Sequence, residues 1–121
     1  MAIELKGIDN VLFAVRELTP SIAFYEACGF TLKFKVGAAG IALFAIGAEE
    51  PGLLIRAGDG SAGKFWVEVR DADAVAAELK AAGIATSRLE TMTGITVEAT
   101  DPSGNVVGFA DYSKKPEMAR R

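Results

Sequence analysis

The chain has no histidine among its 121 residues. This absence excludes every mechanism that needs an imidazole as a metal ligand, as a general base or as a member of a Ser-His-Asp triad. The single cysteine, Cys28, excludes an internal disulfide, so the fold must depend on its hydrophobic core. No apolar run approaches the length of a membrane span, and the N-terminus lacks the pattern of a secretory signal. We therefore expect a cytoplasmic protein with no membrane partner.

Basic residues are scarce in the body of the chain. Four of the 13 Lys and Arg residues lie in the last eight positions, which leaves nine cations against 15 acids in residues 1–113. Nucleic acids and anionic membranes select basic faces, so we expect neither as a partner. The acidic body favours a neutral or cationic ligand. The polar, basic tail from residue 113 onward is expected to be frayed.

A weak internal repeat runs through the chain. A shift of 54 residues aligns Val15-Arg16-Glu17 with Val69-Arg70-Asp71, and Gly29-Phe30 with Gly83-Ile84. Each copy has the pattern of a strand, a helix and three further strands. The predicted strands lie at 8–16, 30–36, 41–46 and 53–56 in the first copy and at 64–70, 84–89, 95–100 and 106–112 in the second.

The repeat predicts one domain, residues 1–121, built from two modules. The modules span about 8–57 and 64–112, the joint lies at 58–63, and the basic tail covers 113–121. Thr19 fits the N-cap of the first helix and Pro20 its first helical position, and Asp71 or Asp73 fits the N-cap of the second helix. Gly29 and Gly83 suit the left-handed position that ends a helix.

Two motifs of the chain are fairly specific when taken together. They are the helix segment Phe24-Tyr25-Glu26 with Gly29-Phe30, and the turn Asp101-Pro102-Ser103-Gly104-Asn105. With two further segments they resemble the vicinal-oxygen-chelate superfamily, which contains glyoxalase I, the extradiol dioxygenases and the bleomycin-resistance proteins. The resemblance implies an α+β fold in which two βαβββ modules form cupped mixed sheets around a cleft. It also implies a homodimer. The resembling segments are 10–15, 21–26, 28–30, 66–69 and 101–105.

The resemblance also locates a metal site that this chain lacks the residues to build. Enzymes of the superfamily hold a divalent metal with His and Glu side chains from four strand positions, which correspond here to Asn10, Leu54 or its neighbour, Lys64 and Gly108. An amide, an aliphatic chain, an ammonium and a glycine do not supply converging lone pairs. We therefore expect no metal and no cofactor. The chain resembles the metal-free, antibiotic-binding branch of the superfamily.

Strand alternation places Trp66 and Glu68 opposite the helix-packing residues and hence in the cleft. An indole face with a carboxylate nearby suits a planar cation. The alternative is that Trp66 fills the cleft as core and Glu68 pairs with Lys64 or Arg70. The other predicted ligand-binding residues are Asn10, Leu12, Phe44, Gly108 and Tyr112.

Each of these further residues has a structural alternative. Asn10 could satisfy a neighbouring backbone group, Phe44 could belong to the core, and Gly108 could mark a bulge instead of space for a ligand. Thr96 and Glu98 alternate with apolar neighbours and fit either the cleft or a solvated face.

We expect a bleomycin-resistance-like protein that sequesters a small hydrophobic, aromatic or cationic molecule without catalysis. The main alternative is a metal-independent isomerase or lyase with Glu68 or Glu98 as the base, although nothing in the spacing pairs two acids for catalysis. A third possibility is a structural module whose own side chains fill the cleft.

Overall fold

The computed structural model describes residues 4, 6, 8–48 and 51–120. Two modules of the same architecture follow one another, which confirms the predicted α+β fold of two βαβββ units. The first consists of β1 (Asn10–Val15), α1 (Leu18–Ala27), β2 (Thr31–Val36), β3 (Ile41–Ala45) and β4 (Gly52–Ala57). The second consists of β5 (Lys64–Glu68), α2 (Ala72–Ala81), β6 (Ser87–Glu90), β7 (Ile95–Thr100) and β8 (Val106–Ala110).

Each module has one mixed four-stranded sheet. The strand orders are β1-β4-β3-β2 and β5-β8-β7-β6. The first strand of each module pairs in parallel with the last, and the remaining pairs are antiparallel. In each module the helix connects the first strand to the second, which lies at the opposite edge of the sheet.

Most strands are shorter than the sequence pattern predicts, and for β6 and β8 the structure shows which contacts replace the strand pairing. The segment expected to be a strand from residue 84 pairs only from Ser87, because the N–H of Ile84 donates to the carbonyl of Leu79 and extends the end of α2. The last strand ends at Ala110 instead of residue 112. The next residue, Asp111, binds the N–H groups of Ala72 and Ile95 with its carboxylate.

The helix termini agree only in part with their predicted signals. The prediction for the start of α1 was wrong: the N-cap is Glu17, without a side-chain hydrogen bond, and Pro20 lies in the first turn, where its missing N–H breaks no helical hydrogen bond. Asp71 caps α2 by accepting from the N–H of Ala74 at 3.1 Å. Gly29 and Gly83 follow the helices with φ of 94° and 81°, the conformation predicted for them.

Strand alternation gives each sheet two faces. The helix face carries the buried apolar residues, and Tyr25 of α1 lies among them with no exposed surface. The opposite face, which we call the open face, carries the alternate side chains. On the first module these include Leu12 and Phe34, and on the second they include Trp66 and Glu98.

The turn over residues 101–105 joins the two modules. The hydroxyl of Tyr25 donates to the Asp101 carboxylate at 2.8 Å, and the side-chain amide of Asn105 donates to the carbonyl of Ala14 at 2.7 Å. Burial, followed by the hydrogen bond to Asp101, raises the pKa of Tyr25, so the phenol stays a donor. The rings of Phe13 and Phe65 meet at 5.3 Å across the same junction. The turn was predicted only as a turn, and it also holds the module interface.

Residues 113–120, which we call the C-terminal strap, return to the second sheet. The N–H of Lys114 donates to the carbonyl of Thr93 at 3.0 Å, and Arg120 contacts Glu68 of β5. The prediction of a frayed tail was therefore wrong for this segment. Among the described residues, no helix combines the length and the apolar character needed to cross a membrane.

Candidate functional site

Trp66 lies on the open face of β5 with its indole directly over Gly108 of β8. A Cβ atom at residue 108 would lie 2.7 Å from Nε1 and 2.9 Å from Cγ of the indole, so only a glycine leaves room for this ring position. Trp66 as a residue is 46% exposed. Residue 108 was expected to leave space for a ligand, and that expectation was wrong because the ring of Trp66 occupies the space.

Glu98 of β7 holds the other side of the indole. Its Oε2 accepts from Trp66 Nε1 at 2.8 Å and from the Lys64 ammonium at 2.7 Å. The sheet register explains the contact, since Gly108 lies between Trp66 and Glu98 on adjacent strands. The hydrogen bond from Lys64 lowers the pKa of Glu98, and the bond from Trp66 adds to the effect against the opposing effect of burial.

We call Trp66, Gly108, Glu98 and Lys64 together the Trp66 platform. One edge of the indole is fixed by a hydrogen bond to an ionised carboxylate, and one of its faces is covered by a glycine. Because the ring is already positioned, a ligand that stacks on its exposed part does not have to order it.

Glu68 follows Trp66 on the same face of β5. Its carboxylate binds Arg120 twice, at 2.7 Å from Nη1 and at 2.8 Å from the backbone N–H. These hydrogen bonds, the side-chain bond first, lower the pKa of Glu68. The sequence alternatives paired Glu68 with Lys64 or Arg70, and in the structure Lys64 pairs with Glu98 and Glu68 with Arg120.

A cavity of about 500 Å³ lies beside Glu68, between β5 and the C-terminal strap. Tyr112 lines it, as do Val69, Pro116 and Ala119. Tyr112 and Glu68 thus border the same space, which is large enough for a drug-sized molecule. Gly108, Trp66, Glu68 and Tyr112 therefore belong to one region of the second module.

Asn10 and Leu12, the two candidates from the first strand, lie on β1 of the first module. Leu12 is 64% exposed on the open face. The amide oxygen of Asn10 accepts from the N–H of Gly52 at 3.2 Å, which is the structural alternative considered for it. Phe34 of β2 shares this face and is also exposed.

Phe44 does not lie in the cleft. It is fully buried on the helix face of β3, in ring contact with Tyr25 at 5.8 Å and with Phe30 at 6.4 Å. The predicted role of Phe44 in the cleft was therefore wrong. Its neighbours Leu43 and Ala45 have the parity of the open face, so the error lies in the assigned face of the strand.

The four positions implied as metal ligands do not fit a divalent metal. The Asn10 oxygen is bound to a backbone N–H, the Lys64 ammonium is paired with Glu98, and Gly108 lies under an indole. Leu54 offers no donor. Across residues 4, 6, 8–48 and 51–120, no three cysteine or acidic side chains come together as a metal-binding group.

Sequence reasoning missed two interactions of the site. The sequence left open whether Glu98 faces the cleft or a solvated surface, and only the cross-strand register shows that it lies against Trp66. The contact between Arg120 and Glu68 joins residues 52 apart and has no local sequence signal. The lone thiol of Cys28 is not part of the site, and burial raises its pKa to about 12.

The comparisons with known proteins agree with this geometry. Residues 7–109 match the family model of the Glyoxalase/Bleomycin resistance protein/Dioxygenase superfamily. The chain belongs to this superfamily. No curated protein matches the chain.

Solved structures from the superfamily have the same fold. A lactoylglutathione lyase from Agrobacterium tumefaciens has a TM-score of 0.76 at 19% identity, with 96% of this chain and 98% of that chain covered. A glyoxalase/bleomycin resistance protein/dioxygenase from Nocardioides has a TM-score of 0.73 at 15% identity, with coverage of 99% and 92%. TnmS3, an antibiotic binding protein from Streptomyces sp. CB03234, has a TM-score of 0.74 at 26% identity, with coverage of 91% and 100%.

Proposed function

We propose that this protein binds and sequesters a small aromatic cation on the open face of its second module, without a metal. The Trp66 platform is the observation that carries the proposal. Its indole is fixed over Gly108 by the hydrogen bond to Glu98, and Trp66 as a residue is still 46% exposed. A fixed, exposed indole is a receptor for a flat ring, and a positive charge on that ring adds about 1–2 kcal/mol.

The two carboxylates near the platform are each paired with a base, Glu98 with Lys64 and Glu68 with Arg120, so the preference for a cation rests on a Glu68 that exchanges its partner and on the charge of the chain as a whole. Glu68 is two residues from Trp66 on the same face, and its lowered pKa keeps it ionised at neutral pH. The body of the chain carries more acids than bases, which steers cations towards it. The similarity to TnmS3, an antibiotic binding protein, supports an antibiotic-like ligand.

The donor set at the four ligand positions supports metal-free binding. A metal would find no ligand set there. Leu54 is aliphatic and Gly108 is covered by an indole, the Lys64 ammonium is paired with Glu98, and the Asn10 oxygen already accepts a hydrogen bond. The protein can still use the same cleft by stacking and ion pairing, which need no metal.

A homodimer forms part of the proposal. Leu12, Phe34 and Val36 expose apolar side chains on the open face of the first module, at 64%, 47% and 42%. Contiguous exposed apolar surface marks an interaction site. A second copy that covers this face would exclude water from it.

The enzymatic alternative has weaker support. A general base works best when its pKa lies near the working pH, and the partners of Glu68 and Glu98 both shift their pKa values downward. Turnover that is lost in Glu68→Gln while binding persists would establish the enzyme. A protein that only sequesters its ligand shows no turnover with any substrate.

A thermal-shift and fluorescence screen tests the proposal. Trp66 is the only tryptophan, so its emission reports directly on the platform. The panel contains planar aromatic cations such as proflavine, neutral aromatics of similar size, and divalent metal ions. We expect the cations to raise the melting temperature by several degrees at saturation with one ligand per chain.

Three variants complete the experiment. Trp66→Ala should abolish the shift, and Glu68→Gln should weaken it for cations but not for neutral aromatics. Leu89→Ala, which removes a 41% exposed apolar side chain from the open face of the same sheet, should leave it unchanged. Stabilisation by a metal ion alone, or an unchanged shift in Trp66→Ala, would contradict the proposal.

A further inference from the structure

We propose that the C-terminal strap competes with the ligand for Glu68, because Arg120 binds this carboxylate. The ligand that displaces Arg120 carries an amidinium or guanidinium group. The inference rests on the proposed function, because it names the cation class for the same site. It also assigns a role to the basic tail that the fold itself does not require.

The contact with Glu68 uses two N–H donors for two oxygens. The Arg120 backbone N–H binds Oε2 at 2.8 Å, and its Nη1 binds Oε1 at 2.7 Å. An amidinium or guanidinium group offers two N–H donors in a fixed plane and can bind both oxygens by itself. An ammonium group has the charge without this geometry. The site is therefore suited to a planar, two-donor cation.

Exposure differs sharply between the two partners. The Arg120 side chain is 84% exposed, whereas that of Glu68 is only 17% exposed. The carboxylate is thus a recessed site, and the arginine covers it from the solvent side. Because the arginine side of the pair faces solvent, water screens the attraction, and a ligand with additional contacts can displace Arg120.

The strap has an anchor at its start that does not depend on Arg120. Lys114 donates its N–H to the carbonyl of Thr93 at 3.0 Å, which ties the start of the strap to the β6–β7 turn. Farther along, Met118 and Ala119 donate their N–H groups within the strap, to Lys115 and Pro116. The anchor at Lys114 therefore remains when Arg120 leaves Glu68.

The cavity under the strap gives the ligand its position. It holds about 500 Å³ and is lined by Glu68, Tyr112, Pro116 and Ala119 among others. Trp66 and Glu68 are two residues apart on one strand, so their Cα atoms lie about 7 Å apart. A ligand with an aromatic ring on Trp66 and an amidinium on Glu68 would bridge this distance.

Opening the strap should raise the affinity by a modest factor. If the strap is closed in about three quarters of the molecules, the apparent dissociation constant is about fourfold weaker than the intrinsic one. Removing Arg120 should recover that factor for a two-donor cation and have no effect on a neutral ligand.

The experiment measures binding of benzamidinium by calorimetry and by Trp66 emission. The chain ending at Ala119 and the full chain with Arg120→Asp each lose the strap contact. The matched control is Arg88→Ala, which removes an arginine paired with Asp73 of α2 at 2.8 Å, on the other face of the second sheet. Benzamide, which is neutral, and benzylammonium, which is a cation without the planar two-donor group, serve as comparison probes.

We expect both strap variants to bind benzamidinium and benzylammonium about three- to fivefold more tightly, because each cation needs Glu68 free, with no gain for benzamide. Benzamidinium should bind more tightly than benzylammonium in every chain, because it alone offers two donors in one plane. Arg88→Ala should bind like the unaltered chain. Equal affinities of the strap variants and the unaltered chain, or an equal gain in Arg88→Ala, would overturn the strap as a competitor. Benzylammonium that binds as tightly as benzamidinium would overturn the two-donor class.

The outcomes separate this inference from the proposed function. Binding that is lost in Trp66→Ala but unchanged in the strap variants keeps the platform and overturns the strap. A strap-dependent gain that persists in Trp66→Ala keeps the strap and contradicts the platform. Failure of every chain to bind benzamidinium overturns the strap as a competitor for this cation class, whereas the platform is judged by the planar cation panel.

Discussion

Gly108→Ala tests whether the position of Trp66 depends on the glycine beneath it. The added methyl would lie 2.7 Å from Nε1 and 2.9 Å from Cγ of the indole, closer than real Cβ atoms approach. β8 is paired on both sides, with β5 and β7, so its backbone cannot withdraw easily. We therefore expect the ring to swing away from the sheet and to lose the hydrogen bond to Glu98.

The effect on stability should be small and that on binding large. Losing one hydrogen bond costs about 1 kcal/mol, and replacing glycine by alanine returns about 0.4–1 kcal/mol by restricting the unfolded chain. The melting temperature should thus change by less than about 4 °C. Loss of the stacking surface removes about 1–2 kcal/mol of binding energy, which corresponds to an affinity about 5- to 30-fold weaker.

The assay combines Trp66 emission, thermal melting and titration with a planar aromatic cation. Gly47→Ala is the matched control, since a Cβ atom at residue 47 meets nothing within 4 Å. We expect a red-shifted emission and weaker binding only in Gly108→Ala. If emission and affinity stay unchanged in Gly108→Ala, the reasoning about the platform is refuted.

Three further predictions concern the module junction, the acid response and the dimer. Tyr25→Phe removes the donor to the buried Asp101 and should lower the free energy of unfolding by about 1–2 kcal/mol in urea titrations, and an unchanged midpoint would contradict the bridging role. The carboxylate of Asp111 has its pKa lowered to about 2, because hydrogen bonds from Ala72, Ile95 and Ser113 outweigh the effect of burial. The ionised carboxylate therefore contributes about 2 kcal/mol to the free energy of unfolding above the unfolded pKa near 3.8, and this contribution is lost as the pH falls through about 2. The free energy of unfolding should fall with pH in this window, and Asp111→Asn should make that fall shallower. Leu12→Asp should shift sedimentation to the monomer mass with little change in melting, and a monomeric unaltered chain would rule out the dimer.

The fold was predictable from the sequence because its signals are local. The period-2 patterns of residues 10–15 and 64–68 and the glycines after each helix are properties of short segments. Where the prediction erred, a contact from elsewhere decided the outcome. The carboxylate of Asp111 ends β8, for example, by binding residues 72 and 95.

The site was predictable only as far as strand parity extends. Parity placed Trp66 and Glu68 on the same face, because both lie on one uninterrupted strand. It could not show that the indole fills the space at Gly108, since that depends on the register between β5 and β8. Phe44 was misplaced because its strand is apolar on both faces, so neither face is marked by polarity.

Calorimetric titration of the purified chain with a planar aromatic cation, in the presence of a metal chelator, shows whether binding is metal-free and depends on Trp66. We expect saturable binding at one ligand per chain that is unaffected by the chelator, lost in Trp66→Ala and retained in Leu89→Ala. Binding that requires a divalent metal, or that persists unchanged in Trp66→Ala, would contradict it.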